Sequence, residues 1–194
     1  MRFAAVGLLG SILLFGSGCQ NQPPNPTVRS FVDVHGDPVD PLICKPGEVA
    51  ALIFITTDCP IANGYAPQLK EMFARFEGKP VKFYLVHVDP VLTVERARKH
   101  AADYGYKSSV ILDPTHELVE LCQVAVTPEA VVYSSDGELQ YRGRINNWYG
   151  DIGRKRFKVS KHELRDAIDA VLAGKPVAVP RADAVGCEIE AIGN

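Results

Sequence analysis

Residues 51–63 read Ala51-Leu-Ile-Phe-Ile-Thr-Thr-Asp-Cys59-Pro-Ile-Ala-Asn63, an apolar run that breaks into a cysteine followed by proline. The branched and aromatic stretch Leu52 to Ile55 has the composition of a strand buried on both faces, and Pro60 suits the first position of a following helix. Cys59 is thereby placed where a strand hands over to a helix. Unpaired N–H groups at a helix start favour an anion and lower a thiol pKa from its usual value of about 8.5. The thiolate is the nucleophile, so Cys59 is the candidate nucleophile. Elsewhere the same residue type is inert core packing, and its neighbours must decide.

Downstream, Ala66, Leu69, Met72, Phe73 and Phe76 recur at helical spacing and Gly78 closes the helix, with Asn63-Gly64 distorting its first turn. Residues 81–88 read as a second strand. Thr93 caps a helix carrying Val94, Ala97, Ala101 and Tyr104 on one face. Residues 109–112 read as a third strand stopped by Asp113-Pro114, and Thr115 caps a short helix that turns Leu118, Leu121 and Cys122 inward. Val126-Thr127-Pro128-Glu129 leads into a strand at 130–133, a Ser135-Asp136-Gly137 turn and a strand at 139–145, which together form a hairpin. Ser160 and Glu163 form a capping box for a last helix that ends at Gly174. Upstream, residues 31–42 alternate around His35-Gly36-Asp37 as a small β-hairpin, with His35 a turn residue. The order specifies an α/β fold, a central mixed sheet with helices on both faces and an N-terminal β-hairpin extension, in one domain over 31–174.

The 194 residues are 46% hydrophobic and 23% charged with a formal net charge of -2, which excludes a disordered or fibrous chain. With no basic stripe interleaved with aromatics, no nucleic-acid partner is expected. Residues 1–18 read as a secretory signal: Arg2, an apolar run from Phe3 to Phe15 too short for a comfortable membrane span, and the small residues Gly16-Ser17-Gly18 before Cys19. The segment resembles a bacterial lipoprotein signal, which implies lipidation of Cys19 and anchorage to an envelope membrane; the alternative is a plain secreted chain with a free Cys19. The proline-rich stretch 19–30 is a tether, and 175–194 a tail carrying Cys187. Export permits disulfides, and Cys44, Cys59, Cys122 and Cys187 allow three full connectivities.

The Asp33-Val-His-Gly36 hairpin, the strand-to-Cys59 junction, the Thr127-Pro128 pair and the Asp136-Gly137 hairpin together resemble thioredoxin-fold proteins of the redoxin type, the group of alkyl hydroperoxide reductase/thiol-specific antioxidant proteins. The match runs from about Phe31 to Leu172. The resemblance implies that Pro128 follows a cis peptide bond and sits against the thiol, with the Thr127 backbone available to a substrate chain and Pro60 beside it. A closer single-cysteine subgroup shares Cys59-Pro-Ile-Ala-Asn63, Tyr141 to Ile145 and the tail pattern Val185 to Ile189. Departures matter as well. Ala62 stands where Cys-x-x-Cys proteins carry the resolving thiol, and Asn63 where copper chaperones of the Sco type carry their second cysteine. Thr56 matches the peroxiredoxin threonine, while Leu52 replaces the proline.

A peroxide-reducing thiol needs a low pKa, a donor for the departing oxygen, and a second thiol or external reductant. Asp58 opposes ionisation of Cys59 if its carboxylate points at the sulfur. Arg142 and Arg144 share a strand face; Arg144 is the candidate thiolate stabiliser, against an exposed sheet face as the alternative. Cys187 is the first choice of resolving thiol, brought in by a flexible tail. Its alternatives are a structural disulfide with Cys44 or a free cysteine. His100, His116 and His162 read as solvated and His87 as a strand residue; none has metal-ligand spacing, so neither metal nor cofactor is expected. The loop 146–150, with Trp148, either covers the site or anchors itself. The sequence thus favours an envelope-anchored thiol oxidoreductase that takes a peroxide or a protein disulfide and an external thiol reductant. The alternative is a thioredoxin-fold binding module for metal handling or envelope complex assembly.

Overall fold

The computed structural model describes residues 31–192. Phe31–Val32 (β1) and Pro38–Val39 (β2) form the N-terminal hairpin, its turn tied by Asp33 Oδ1, which accepts from His35 N and Asp37 N. Val49–Ile55 (β3) leads to Cys59, then to Pro60–Gly64 (α1) and Ala66–Arg75 (α2), two helical pieces meeting at Tyr65 as the Asn63-Gly64 pair foreshadows. Next come Val81–His87 (β4), Val94–Tyr104 (α3), Ser109–Leu112 (β5) and Glu117–Cys122 (α4). Val126–Thr127 (β6), Glu129–Tyr133 (β7) and Leu139–Gly143 (β8) follow, then a hairpin of Tyr149–Asp151 (β9) and Arg154–Lys155 (β10), and Glu163–Leu172 (α5). The last elements are Arg181–Ala182 (β11) and Cys187–Glu188 (β12).

The main sheet has the order β11-β8-β7-β3-β4-β5. β3 runs parallel to β4 and antiparallel to β7, so the sheet is mixed as the element order requires. All seven residues of β3 are buried, and they alternate between two cores. Ala51, Ile53 and Ile55 pack with Leu69 of α2, Ala97 of α3 and Ile168 of α5, whereas Ala50, Leu52 and Phe54 pack with Leu118 and Cys122 of α4. Each fully buried Leu, Ile or Phe contributes about 1.5–3 kcal/mol, so this strand, covered on both faces, fixes where its last residue and Cys59 emerge.

Two caps differ from expectation. α4 starts after His116 in the left-handed region, and its first turn is satisfied by Asp113 Oδ2 accepting from Val119 N at 3.0 Å, not by Thr115. α5 starts after His162 without a side-chain cap, because Ser160 Oγ is taken by Asn147 Nδ2 at 2.9 Å. His100 and His116, read as solvated, are buried. The tail is no flexible extension: β11 joins the main sheet parallel to β8, with Ala182 opposite Gly143. Gly143 has φ +150, and a Cβ there would collide with Ala182 O.

Candidate active site

β3 ends at Ile55, the chain turns through Thr56, Thr57 and Asp58, and Cys59 becomes the N-cap of α1. Its Sγ accepts from Ala62 N at 3.4 Å, so the residue that replaces a second cysteine supplies an amide to the first. From across the sheet end, the Thr127-Pro128 bond is cis and Thr127 O lies 3.0 Å from Cys59 Sγ, within reach of the thiol proton. Thr56 Oγ1 lies 3.4 Å from Thr127 Oγ1, placing Thr56 behind Thr127 and not on the sulfur.

Cys187 completes the group. β12 pairs antiparallel with β6, Cys187 directly opposite Thr127, and Ile189 N donates to Ala125 O at 2.9 Å. Gly186 lies so close to the Thr127 carbonyl that a Cβ would overlap it. This close approach sets Cys187 Sγ 2.7 Å from Cys59 Sγ, with both residues as free thiols. The Thr127 backbone, expected to be open to a substrate chain, is thus occupied by the protein's own tail.

The two sulfurs differ electrostatically. Burial opposes ionisation of Cys59, which is 1% exposed, but hydrogen bonds from Cys187, Ala62 N and Thr127 outweigh it and hold the Cys59 pKa below the ordinary thiol value. Cys187 is pushed up to about 12 by burial, by donating to Cys59 and by the charges of Cys59 and Asp58. Of the two, Cys59 is the sulfur that ionises first, with Cys187 placed to donate to it.

Arg144 does not join them. Its Nε donates to Glu163 Oε1 at 3.0 Å and its Nη2 pairs with the same oxygen, so the guanidinium is spent on the start of α5. Arg142 is buried and donates to Gln123 O at 2.7 Å. Cys44 and Cys122 belong to the core on the other face of the sheet, away from Cys59 and Cys187. Trp148 packs edge-on against Tyr65 at 5.6 Å and Lys155 Nζ sits 4.5 Å from the Trp148 ring centre, so the 146–150 loop anchors against the α1–α2 junction. Among the described residues no cluster of three or more His, Cys, Asp or Glu is arranged to hold a metal. Cys19 lies outside the described residues.

A mixed sheet that delivers one cysteine to a helix start beside a cis-proline defines a thioredoxin-fold protein of the redoxin type. Residues 33–142 match the AhpC/TSA family model, more than half of the chain, and the protein belongs to that family. An uncharacterized conserved protein from Geobacillus kaustophilus superposes with a TM-score of 0.74 at 24% identity, covering 85% of this chain and 89% of that one. A hypothetical protein from Sinorhizobium meliloti gives 0.73 at 22% identity, covering 86% and 92%. The dsbF protein of MTB, solved in mixed oxidized and reduced forms, gives 0.54 at 18% identity, covering 74% and 95%. At these identities the likenesses establish the fold alone. No curated protein matches the sequence.

Proposed function

We propose that the protein is a thiol-dependent oxidoreductase whose redox couple is Cys59 and Cys187, cycling between thiolate–thiol and disulfide. The observation that carries this reading is the 2.7 Å approach of the two sulfurs, with Cys187 registered opposite Thr127. The tail supplies the second thiol that Ala62 denies to the helix, and oxidation joins the pair without rearranging the backbone.

A small hydroperoxide suits the buried Cys59, because a polypeptide disulfide would meet an edge already paired with the tail. The Cys59 thiolate attacks the outer peroxide oxygen and becomes a sulfenic acid while the inner oxygen leaves as alkoxide or hydroxide and takes a proton from solvent water to become the alcohol or water. Cys187 then gives up its proton, attacks Cys59 Sγ, and the sulfenic oxygen departs as water. The peroxide gains two electrons and the thiols lose two. For return, a reductant thiolate attacks Cys187 Sγ, the more exposed sulfur, and Cys59 is expelled as the lower-pKa leaving group. A second reductant thiol resolves that mixed disulfide, and its proton passes to Cys187. The N-terminal reading belongs to the same proposal: an exported chain held to an envelope membrane through Cys19.

The test is oxidation of the reduced full chain with one equivalent of hydrogen peroxide, followed by disulfide mapping by mass spectrometry. The wild type yields a Cys59–Cys187 disulfide, Cys187→Ser a trappable sulfenic acid on Cys59, and Cys59→Ser neither. A wild-type product in which Cys59 stays unmodified while other thiols react overturns the proposal.

A further inference from the structure

Behind the cysteine pair lies a buried polar group that the redox cycle does not use. Asn63, the fourth residue of α1, donates from its backbone N to Cys59 O at 3.0 Å and from its side-chain Nδ2 to Thr57 O at 2.8 Å. It thus grips the carbonyls on both sides of Asp58, the turn that presents the sulfur. With Nδ2 donating, Asn63 Oδ1 must accept, and its partner is His100 Nε2 of α3 at 2.9 Å. The proton of His100 therefore sits on Nε2, and its Nδ1 is a bare lone pair without a hydrogen-bond partner. The ring is wedged between Tyr104 at 4.7 Å and the edge of His87 at 5.0 Å, with Tyr106 at 6.2 Å. His87, at the end of β4, is 1% exposed and also leaves Nδ1 unpaired.

Two unpaired imidazole nitrogens in a core are costly, since a buried polar atom without a partner forfeits the water it would otherwise bind. An apolar side chain at position 100 would fill the space without that cost, but it would donate nothing to Asn63. The need for a staple is local. α1 is five residues long and ends at Gly64, and a helix of one turn does not hold its own orientation. The amide that reaches Cys59 Sγ, Ala62 N, belongs to that turn.

We propose that Asn63 and His100 are positioning residues for Cys59: His100 on α3 fixes Asn63, and Asn63 clamps the Thr57–Cys59 turn so that the α1 amide stays on the sulfur. This rests on the role given to Cys59 above. Burial lowers the pKa of His100, with Asp103 opposing, and takes that of His87 to about 3 with help from His100. Both rings therefore remain neutral while thiols titrate, and the Nε2 donor is present throughout. The groups acting on Cys59 itself are Cys187, Ala62 N and Thr127, with Asp58 next to it in the chain.

The experiment measures alkylation of Cys59 against pH, peptide by peptide, in the full chain carrying Cys187→Ser. His100→Gln keeps an amide donor near the Nε2 position and retains the low midpoint. His100→Leu and Asn63→Ala raise the midpoint by about one pH unit, a tenfold loss of thiolate below it, and thermal melts of each variant separate this from unfolding. A wild-type midpoint in either His100→Leu or Asn63→Ala overturns the proposal, as does an equal rise in His100→Gln and His100→Leu. If His100→Leu fails to fold, Asn63→Ala against its parent carries the decision alone. Disulfide mapping of the wild type keeps the two ideas apart: a Cys59–Cys187 disulfide with unaltered midpoints sinks only the positioning role, and absence of that disulfide sinks the redox couple.

Discussion

Cys59 and Cys122 are nearly equally buried, 1% and 0% exposed, on opposite faces of one sheet, yet their chemistry diverges. Cys59 stands before the first residue of α1 and receives hydrogen bonds from an amide and a second thiol. Cys122 is the last residue of α4, at the negative end of a helix, with only the Tyr133 hydroxyl at 3.7 Å to offset its burial. Burial, opposed by that hydrogen bond, pushes its pKa up to about 12, while that of Cys59 falls below the ordinary thiol value. Depth in the core does not make a thiol inert. What decides is which end of a helix it meets and how many donors face it.

The comparison breaks most visibly if the donors are removed by displacing the tail. Gly186→Val places side-chain atoms on the Thr127 carbonyl, lifts β12, and slows formation of the Cys59–Cys187 disulfide at least about tenfold, given the steep distance dependence of exchange geometry. Quenched-flow alkylation with mass spectrometry measures that rate, and an unchanged rate would detach tail docking from redox chemistry.

A narrower change sharpens the same contrast. Cys187→Ala removes the donor, so the Cys59 titration midpoint rises by about one pH unit, while Cys187→Ser keeps a hydroxyl donor and a lower midpoint. The sign follows from the charge: a donor stabilises the thiolate, so its loss lets the proton stay on to higher pH. Equal midpoints in the two variants would assign the lowering to the helix amide and Thr127.

The smallest effect is expected on the other face. Cys122→Ala leaves the oxidation rate of Cys59 unaltered and costs about 1 kcal/mol of unfolding free energy by chemical denaturation, the price of a small cavity against Tyr133. A change in Cys59 chemistry from that substitution would mean the two faces are coupled.

The elements with strong period or composition were readable from the chain. The run 51–55, the Cys59-Pro60 junction, the Thr127-Pro128 pair and the 135–137 turn each carry a local signal, and they locate one sulfur and its proline neighbour. Cys187 was also singled out by the sequence, and the fold does bring it beside Cys59, though not by the route expected. β11 and β12 are two residues each, too short for any periodicity, and Pro176 and Pro180 give their surroundings the look of a loop. The partners of long polar side chains are chosen in three dimensions. Arg144 took Glu163, Ser160 took Asn147, and His100 took Asn63 thirty-seven positions away, so the expected thiolate stabiliser, helix cap and solvated histidine became something else. A histidine among the charged residues of an amphipathic helix gives no hint of which face it joins until the neighbouring strand is in place.

The two sulfurs are 128 residues apart in the chain, and this separation governs biogenesis. Ribosomal synthesis proceeds from the N-terminus, so Cys59 is made long before Cys187, its partner in the proposed couple. On the proposed couple, loss of the chain beyond position 174 recreates that immature condition and leaves Cys59 to find its second sulfur on another molecule.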